Sequence, residues 1–314
     1  MPSKFFLGET SLLECISDSS AASFRLCIRP LRAVDSCVFV ELEMDLSFVK
    51  AITCGLEFIV VVLGNMHVCV FDYCGVELWR IVDLPVLSVS VFGNENVCIV
   101  TESFVAVYKI GKLLCRLETF SNPHGLLSVS AEKLVCLGLQ RGTLRVYKSD
   151  LRPANSIAAH TSSLEALALG GENLHVATIS ETGTLVRIHD IGGIQLAEIR
   201  IWDQHVRRLV IGLVDGAFVV AVLGKRILTV YPYTKPSLTE PGLIQSLISK
   251  LTPNSHKYTV PANDDAVIHL NSFFVLSGFR LEEYLGPKLI HTWVNDEWTV
   301  LDEEEVHRTC LSDT

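Results

Sequence analysis

Leu164-Glu165-Ala166-Leu167-Ala168-Leu169, Leu174-His175-Val176-Ala177-Thr178-Ile179 and Thr184-Leu185-Val186-Arg187-Ile188-His189 follow one another with only short breaks. Gly170-Gly171 and Glu181-Thr182-Gly183 lie in those breaks. Short β-rich runs bounded by Gly and polar residues read as strands joined by tight turns. The last run has counterparts elsewhere in the chain. They are His67-Val68-Cys69-Val70-Phe71-Asp72, Phe104-Val105-Ala106-Val107-Tyr108-Lys109, Leu144-Arg145-Val146-Tyr147-Lys148 and Leu228-Thr229-Val230-Tyr231-Pro232. Each opens on a small or polar residue, alternates β-formers and closes near an aromatic ring or His. The closing position runs Phe71, Tyr108, Tyr147, His189, Tyr231, with gaps of 37, 39, 42 and 42 residues. Phe24-Arg25-Leu26-Cys27-Ile28-Arg29 is an earlier copy if Ile28 takes that position, 43 residues before Phe71.

A period near 40 made of strands, without helices, is the spacing of propeller blades. One such sheet cannot bury both faces alone, so neighbouring sheets must cover it. The chain has room for seven units. The expected fold is all-β, a seven-bladed WD40-like β-propeller forming a single body over residues 1–314. The Gly-His and Trp-Asp dipeptides of standard WD40 blades are absent at the expected places. Trp202-Asp203 falls at the start of a unit. The first and last units carry the weakest pattern, and the sequence does not display how the ring closes.

The 314 residues are 49% apolar and only 19% charged, enough for a large core and unlike a disordered chain. The longest apolar stretches, Phe58 to Leu63 and Ala217 to Leu223, fall far short of the ~18 residues of a membrane helix and read as buried strands. The opening Met1-Pro2-Ser3-Lys4-Phe5-Phe6 has too short an apolar core for a signal peptide. Ten Cys are scattered without C-x-x-C spacing, and Cys37, Cys69, Cys98 and Cys136 lie in apolar runs. They read as reduced thiols of a cytosolic protein. The net charge is −9, and six acids between Asp296 and Glu305 leave −3 for the rest. Bulk nucleic-acid binding is not expected.

Catalytic motifs are missing: there is no G-x-S-x-G, no H-E-x-x-H and no Walker loop. The ten His show no metal-ligand spacing. A non-catalytic protein without metal or cofactor is expected. The segment 234–256 is long for a propeller turn. Within it Leu243, Ile244, Leu247, Ile248 and Leu251 share one helical face, after Pro241 and before Pro253, so an amphipathic helix over 242–251 is expected. It suits either a helix packed on the side of the propeller or one that meets a membrane interface or a partner.

Three stretches carry a resemblance. Leu117-Glu118-Thr119-Phe120-Ser121-Asn122-Pro123-His124-Gly125-Leu126 is similar to an E-T-x-x-N-P-x-G-L turn. Ile157-Ala158-Ala159-His160 precedes the Leu164 run, and Ala177-Thr178-Ile179-Ser180-Glu181-Thr182-Gly183-Thr184-Leu185-Val186-Arg187-Ile188-His189-Asp190 is similar to A-T-A-S-E-x-G-T-L-I-R-x-F-D. These motifs resemble the PROPPIN family, β-propellers that bind phosphoinositides, from about Phe24 to Tyr231. The resemblance implies two headgroup pockets at the rim of blades five and six, divided by the arginines of an [FL]-R-R-G motif. It also implies a membrane-inserting loop where Leu243 to Leu251 lie. Here the motif reads Ile199-Arg200-Ile201-Trp202, which keeps only the first arginine.

Arginine offers a fork of donors to phosphate, and isoleucine offers none. Leu223, Ile227 and Thr229 stand where the second pocket's Ser, Thr and His would be, so that pocket is expected to be lost. His160, Ser162, Ser180, Thr184, Arg187 and Arg200 match polar positions of the first. His160, Ser180 and Thr184 also suit structural turn roles, and Arg187 a paired strand position. Arg207 and Arg208 are nearby cations that fit either a replacement charge or plain surface.

The resemblance implies a monomeric adaptor bound peripherally to autophagic or endosomal and vacuolar membranes. Its partners would be phosphatidylinositol 3-phosphate or 3,5-bisphosphate and an autophagy-type protein. The alternative is a propeller scaffold that has lost lipid binding and works through protein partners alone.

Overall fold

The computed structural model describes residues 3–7, 11–17, 23–31, 37–93, 95–170, 174–201, 206–214, 217–225, 227–233, 258–261, 265–269, 272–277, 280–285, 288–294 and 297–300. They form seven antiparallel sheets, each taken from one continuous run of chain. The first holds β1 (Ser3–Leu7), β2 (Ser11–Ser17), β3 (Phe24–Pro30) and β4 (Val38–Leu42). The second holds β5 (Val49–Cys54), β6 (Ile59–Leu63), β7 (His67–Phe71) and β8 (Glu77–Ile81). The third holds β9 (Ser88–Phe92), β10 (Asn96–Val100), β11 (Phe104–Lys109) and β12 (Lys112–Glu118). The fourth holds β13 (Leu127–Val129), β14 (Lys133–Leu137), β15 (Thr143–Lys148) and β16 (Pro153–Ala158). The fifth holds β17 (Leu164–Gly170), β18 (His175–Ser180), β19 (Leu185–Asp190) and β20 (Gln195–Arg200). The sixth holds β21 (Arg208–Val214), β22 (Ala217–Leu223), β23 (Ile227–Tyr233) and β24 (Tyr258–Pro261). The seventh adds a fifth strand: β25 (Asp265–His269), β26 (Ser272–Ser277), β27 (Arg280–Leu285), β28 (Lys288–Val294) and β29 (Glu297–Val300).

The order is a ring. From the second sheet to the seventh, the first strands of successive sheets lie against one another, and β25 lies against β1. Seven apolar clusters fill the seven seams between sheets. One joins the first and second through Phe24, Leu26, Ile59 and Val61. Another joins the fifth and sixth through Ile179, Val186, Leu209 and Val222. The ring closes through Leu7, Leu12 and Leu31 of the first blade and Phe274, Leu276 and Leu281 of the seventh. The fold is a seven-bladed β-propeller.

The repeat position has a geometric cause. Phe71, Tyr108, Tyr147 and His189 each stand where the register between the third and fourth strands slips by one residue. Such a bulge increases local twist, which helps a blade coil out from the axis. Tyr284 occupies the same place in the seventh blade, where the sequence pattern did not pick it out. In the second and fifth blades the residue that follows is an aspartate that closes the next turn. Asp72 Oδ1 accepts from the backbone of Cys74 and Val76, both at 2.9 Å, and Asp190 Oδ1 accepts from Ile194 at 2.8 Å.

The nine described cysteines are free thiols. Cys69, Cys98 and Cys136 are buried in strands as expected, whereas Cys37 sits half-buried just ahead of β4. Burial pushes the thiols of Cys15 and Cys136 up to about 12. No described helix is long and apolar enough to cross a membrane. The expected helix over 242–251, with Leu243, Ile244, Leu247, Ile248 and Leu251, lies outside the described residues. Its segment connects β23 to its paired neighbour β24, the last two strands of the sixth sheet.

Candidate functional site

The fifth sheet brings the expected polar residues to one face. In its register Thr178 stands opposite Arg187, Arg187 opposite Glu198, and Leu185 opposite Arg200. Side chains alternate along a strand, so Thr178, Ser180, Arg187, Glu198 and Arg200 share a face. This face looks toward the fourth blade. Ile179, Val186 and Ile201 point the other way, into the seam with the sixth blade. The two positions of the arginine pair therefore diverge by geometry alone: Arg200 is exposed, and Ile201 is 1% exposed.

Around the Glu181 turn the chain is tightly bonded. Gly183 has a positive φ of 65° and donates its N–H to the Ser180 carbonyl at 2.7 Å. Ser180 is buried, and its Oγ bonds Thr182 Oγ1 at 2.8 Å. The N–H of Ile201 donates to the Thr184 carbonyl at 2.9 Å, which holds Thr184 beside Arg200. Glu181 pairs with Arg141 of the fourth blade, whose Nε donates to Ser163 Oγ at 3.1 Å. This clamp between blades was not anticipated, because its members lie some forty residues apart and belong to no motif.

His160 enters from the loop before β17. Its N–H and that of Ala159 both donate to the Gly142 carbonyl at 3.0 Å. Gly142 must be glycine: its φ is 71°, and an added Cβ would stand 2.0 Å from the His160 carbonyl oxygen and 2.8 Å from that of Ser162. His160 Nε2 lies 3.2 Å from Thr178 Oγ1, and that hydroxyl donates to the Arg187 carbonyl at 3.3 Å. With the Thr178 proton so engaged, Nε2–H of His160 is the donor to Thr178. Burial, reinforced by the Arg187 charge, lowers the His160 imidazole to about 4. It is neutral at pH 7 and bonds without charge.

The two arginines differ. Arg187 Nε pairs with Glu198 Oε2 at 2.8 Å, and its Nη1 donates to the Ala159 carbonyl at 2.8 Å. It is engaged as a brace that fixes the His160 loop to the sheet. Arg200 makes no ion pair or side-chain hydrogen bond among the described residues and stands at the open end of β20. Ser162 is half-buried in the same loop as His160. His160, Thr178, Arg187 and Glu198 thus form one linked group, and Thr184 and Arg200 stand together at the end of the sheet. Glu198 and Thr178 were missed because a strand residue's partner depends on register, which the sequence does not display.

On the sixth blade Leu223 is 1% exposed and Thr229 is half-buried. Ile227 is 47% exposed, and Lys225 is exposed in the turn before it. Arg208 opens β21 half-buried, and Arg207 is exposed.

No protein-family model matches the chain. SVP1-like protein 2 of Neurospora crassa is 29% identical over 153 residues, 47% of this chain and 36% of that protein. Autophagy-related protein 18b of Arabidopsis thaliana is 28% identical over 174 residues, 52% and 46% of the two chains. WD repeat domain phosphoinositide-interacting protein 2 of Xenopus laevis is 39% identical over 90 residues, 26% and 21% of the two. The match spans less than half the length of each of these curated relatives. Among solved structures, Kluyveromyces lactis Hsv2 is similar with a TM-score of 0.65 at 14% identity, covering 95% of this chain and 97% of that one. Kluyveromyces marxianus Hsv2 gives 0.63 at 17%, covering 96% and 97%. At these identities the structural likeness speaks for the fold.

Proposed function

Because this chain is a divergent relative of the PROPPIN propellers, we infer that it is a phosphoinositide-binding adaptor that works peripherally on membranes of autophagy or endosomal traffic. It binds and does not catalyse. One headgroup site serves it, at the open end of the fifth sheet, for a 3-phosphorylated inositol lipid. Arg200 supplies the cation, and the Thr184 turn and the His160 loop supply the walls. The observation that carries this reading is Arg200 itself: exposed, without a counter-ion among the described residues, and held beside Thr184 by the backbone bond of Ile201. Arg187 contributes shape more than charge, since Glu198 already engages it. In this reading the second headgroup pocket is lost, which the burial of Ile201 in the core supports. With one site in place of two, binding lacks the gain of ~10²-fold or more that linked sites provide. It therefore depends on further membrane contact, for which the 242–251 segment is the candidate.

Vesicle flotation tests the reading. The chain should float with phosphatidylcholine vesicles carrying phosphatidylinositol 3-phosphate. Arg200→Ala should lower that binding about tenfold or more, as expected for one charge-assisted contact of ~1.5–3 kcal/mol. Absence of flotation with the phosphoinositide, or an unaffected Arg200→Ala protein, overturns it.

A second reading, a protein scaffold without lipid binding, draws on the apolar outer edge of the first three blades. Phe39, Val76, Leu78, Ile110 and Leu113 are all more than half exposed there. Under that reading flotation is absent while partner capture persists.

A further inference from the structure

The gap between the fourth and fifth blades has a second arginine on its far wall. Arg141 lies in the turn before β15, next to Gly142, whose carbonyl takes the N–H groups of Ala159 and His160. Its side chain reaches across to the start of the fifth blade, where Nε donates to Ser163 Oγ at 3.1 Å and Nη2 pairs with Glu181. Glu181 is itself fixed: its N–H donates to the Ser163 carbonyl at 2.9 Å, and it belongs to the Ser180–Gly183 turn that leads into Thr184. One edge of the guanidinium, Nε with Nη2, is thus engaged. Nη1 makes no hydrogen bond among the described residues, and the side chain is 52% exposed. Arg200 faces the same gap from the end of β20, and the His160 loop runs between the two blades.

Resting on the headgroup site described above, we propose that Arg141 is its second cation: the open edge of the guanidinium takes a phosphate of the inositol lipid, while Glu181 holds the group in place and opposes the incoming charge. An ion pair this exposed adds little to stability, so its members exchange partners at small cost. A phosphate monoester carries more charge than a carboxylate and more acceptor oxygens, so it competes well for a guanidinium. Charge balance points the same way. Glu198 offsets Arg187, and Glu181 offsets Arg141. Of these residues and Arg200, only Arg200 attracts the lipid with uncompensated charge until Arg141 turns to it. The arginine that the strand lacks at Ile201 is thereby supplied from the neighbouring blade.

Flotation with phosphatidylcholine vesicles carrying phosphatidylinositol 3-phosphate tests this on the wild type, Arg141→Ala, Glu181→Gln and the double variant. Arg141→Ala should weaken binding about fivefold, one charge-assisted contact less the ion pair given up for it. Glu181→Gln should tighten it about threefold, since the opposing charge is gone. The double variant should bind about fivefold or more weakly than Glu181→Gln alone. Both side chains are half exposed, so melting temperatures should stay near the wild-type value. Vesicles with phosphatidylserine in place of the phosphoinositide should not register Arg141→Ala. The proposal is overturned if Arg141→Ala binds like wild type, or if its loss is equal on the serine-lipid vesicles, the mark of a plain surface cation. It is also overturned if Glu181→Gln weakens binding as Arg141→Ala does, the mark of a brace between blades. A double variant that matches Glu181→Gln overturns it too, because Arg141 then only neutralises Glu181. Arg200→Ala separates this proposal from the reading it rests on. If that variant loses binding while Arg141→Ala does not, only the second cation falls; if the wild type does not float, or Arg200→Ala binds like it, the headgroup site falls with it.

Discussion

Burial and the neighbouring Arg187 charge lower the imidazoles of His160 and His189 to about 4. Both rings are neutral in the folded protein, while in the unfolded chain they titrate near 6.5. Between those values the unfolded state holds more protons, so acid favours unfolding. The stability these rings preserve is complete above pH ~6.5 and is lost as pH falls toward 4. The melting temperature should therefore drop steadily from pH 7 to pH 5 in a fluorescence or calorimetric scan; a flat profile contradicts the assignment. His189 offers a sharper test. It is 3% exposed, and its Nδ1 has no hydrogen-bond partner among the described residues. His189→Phe keeps a ring at the bulge and removes the titrating group. It should raise the melting temperature, and more at pH 5 than at pH 7. The sequence displayed His189 as a repeat marker and Arg187 as a cation. It could not display that Glu198 faces Arg187, because that depends on strand register. Arg200 stood out in the sequence as the one arginine kept from the motif it resembles, and its exposure came only with the fold.

Among the elements, the connection after β12 shows how a motif is written in hydrogen bonds. Asn122 is fully buried, accepts from Leu126 N–H at 2.7 Å and donates to the Leu126 carbonyl at 3.0 Å. Its own N–H donates to the Glu102 carbonyl at 2.7 Å, tying the link to a turn of the third blade. Gly125 has a φ of 63°, and an added Cβ would stand 2.9 Å from Leu87 Cβ. The motif residues thus hold the angle between the third and fourth blades. Asn122→Ala should cost about 2 kcal/mol in denaturant unfolding, since it strands the N–H and the carbonyl of half-buried Leu126. Asn122→Asp, which keeps the acceptor but sets a buried carboxylate oxygen against the Leu126 carbonyl, should cost at least as much. A loss under 0.5 kcal/mol for the alanine variant would show that this turn is replaceable. Strands with clear alternation were legible along the chain. The bulge behind the aromatic marker was not, because it records a slip between two strands and neither strand carries it alone.

Across the whole molecule, the seam between the first and last blades is where prediction from sequence ended. Its six members, among them Leu12 and Phe274, come from opposite ends of the described chain and share no periodic signal. They close the ring by packing side chains, and among the described residues no strand is exchanged between the two blades. Phe274 is fully buried, so Phe274→Ala should cost about 3–5 kcal/mol. Hydrogen exchange should then accelerate first in the first and seventh blades. Uniform acceleration around the ring would mean the seam is no weaker than the rest.

A ring whose sheets each come from an unbroken stretch also has an order in time. As the chain leaves the ribosome, each blade has all of its strands before the next begins to emerge. Only the final joining, of residues 265–300 against the earliest ones, must wait for the far end. Until then Phe274's eventual berth beside Leu12 stays open to water and to other chains, so nascent chains halted before the seventh blade should be the ones that most require a chaperone.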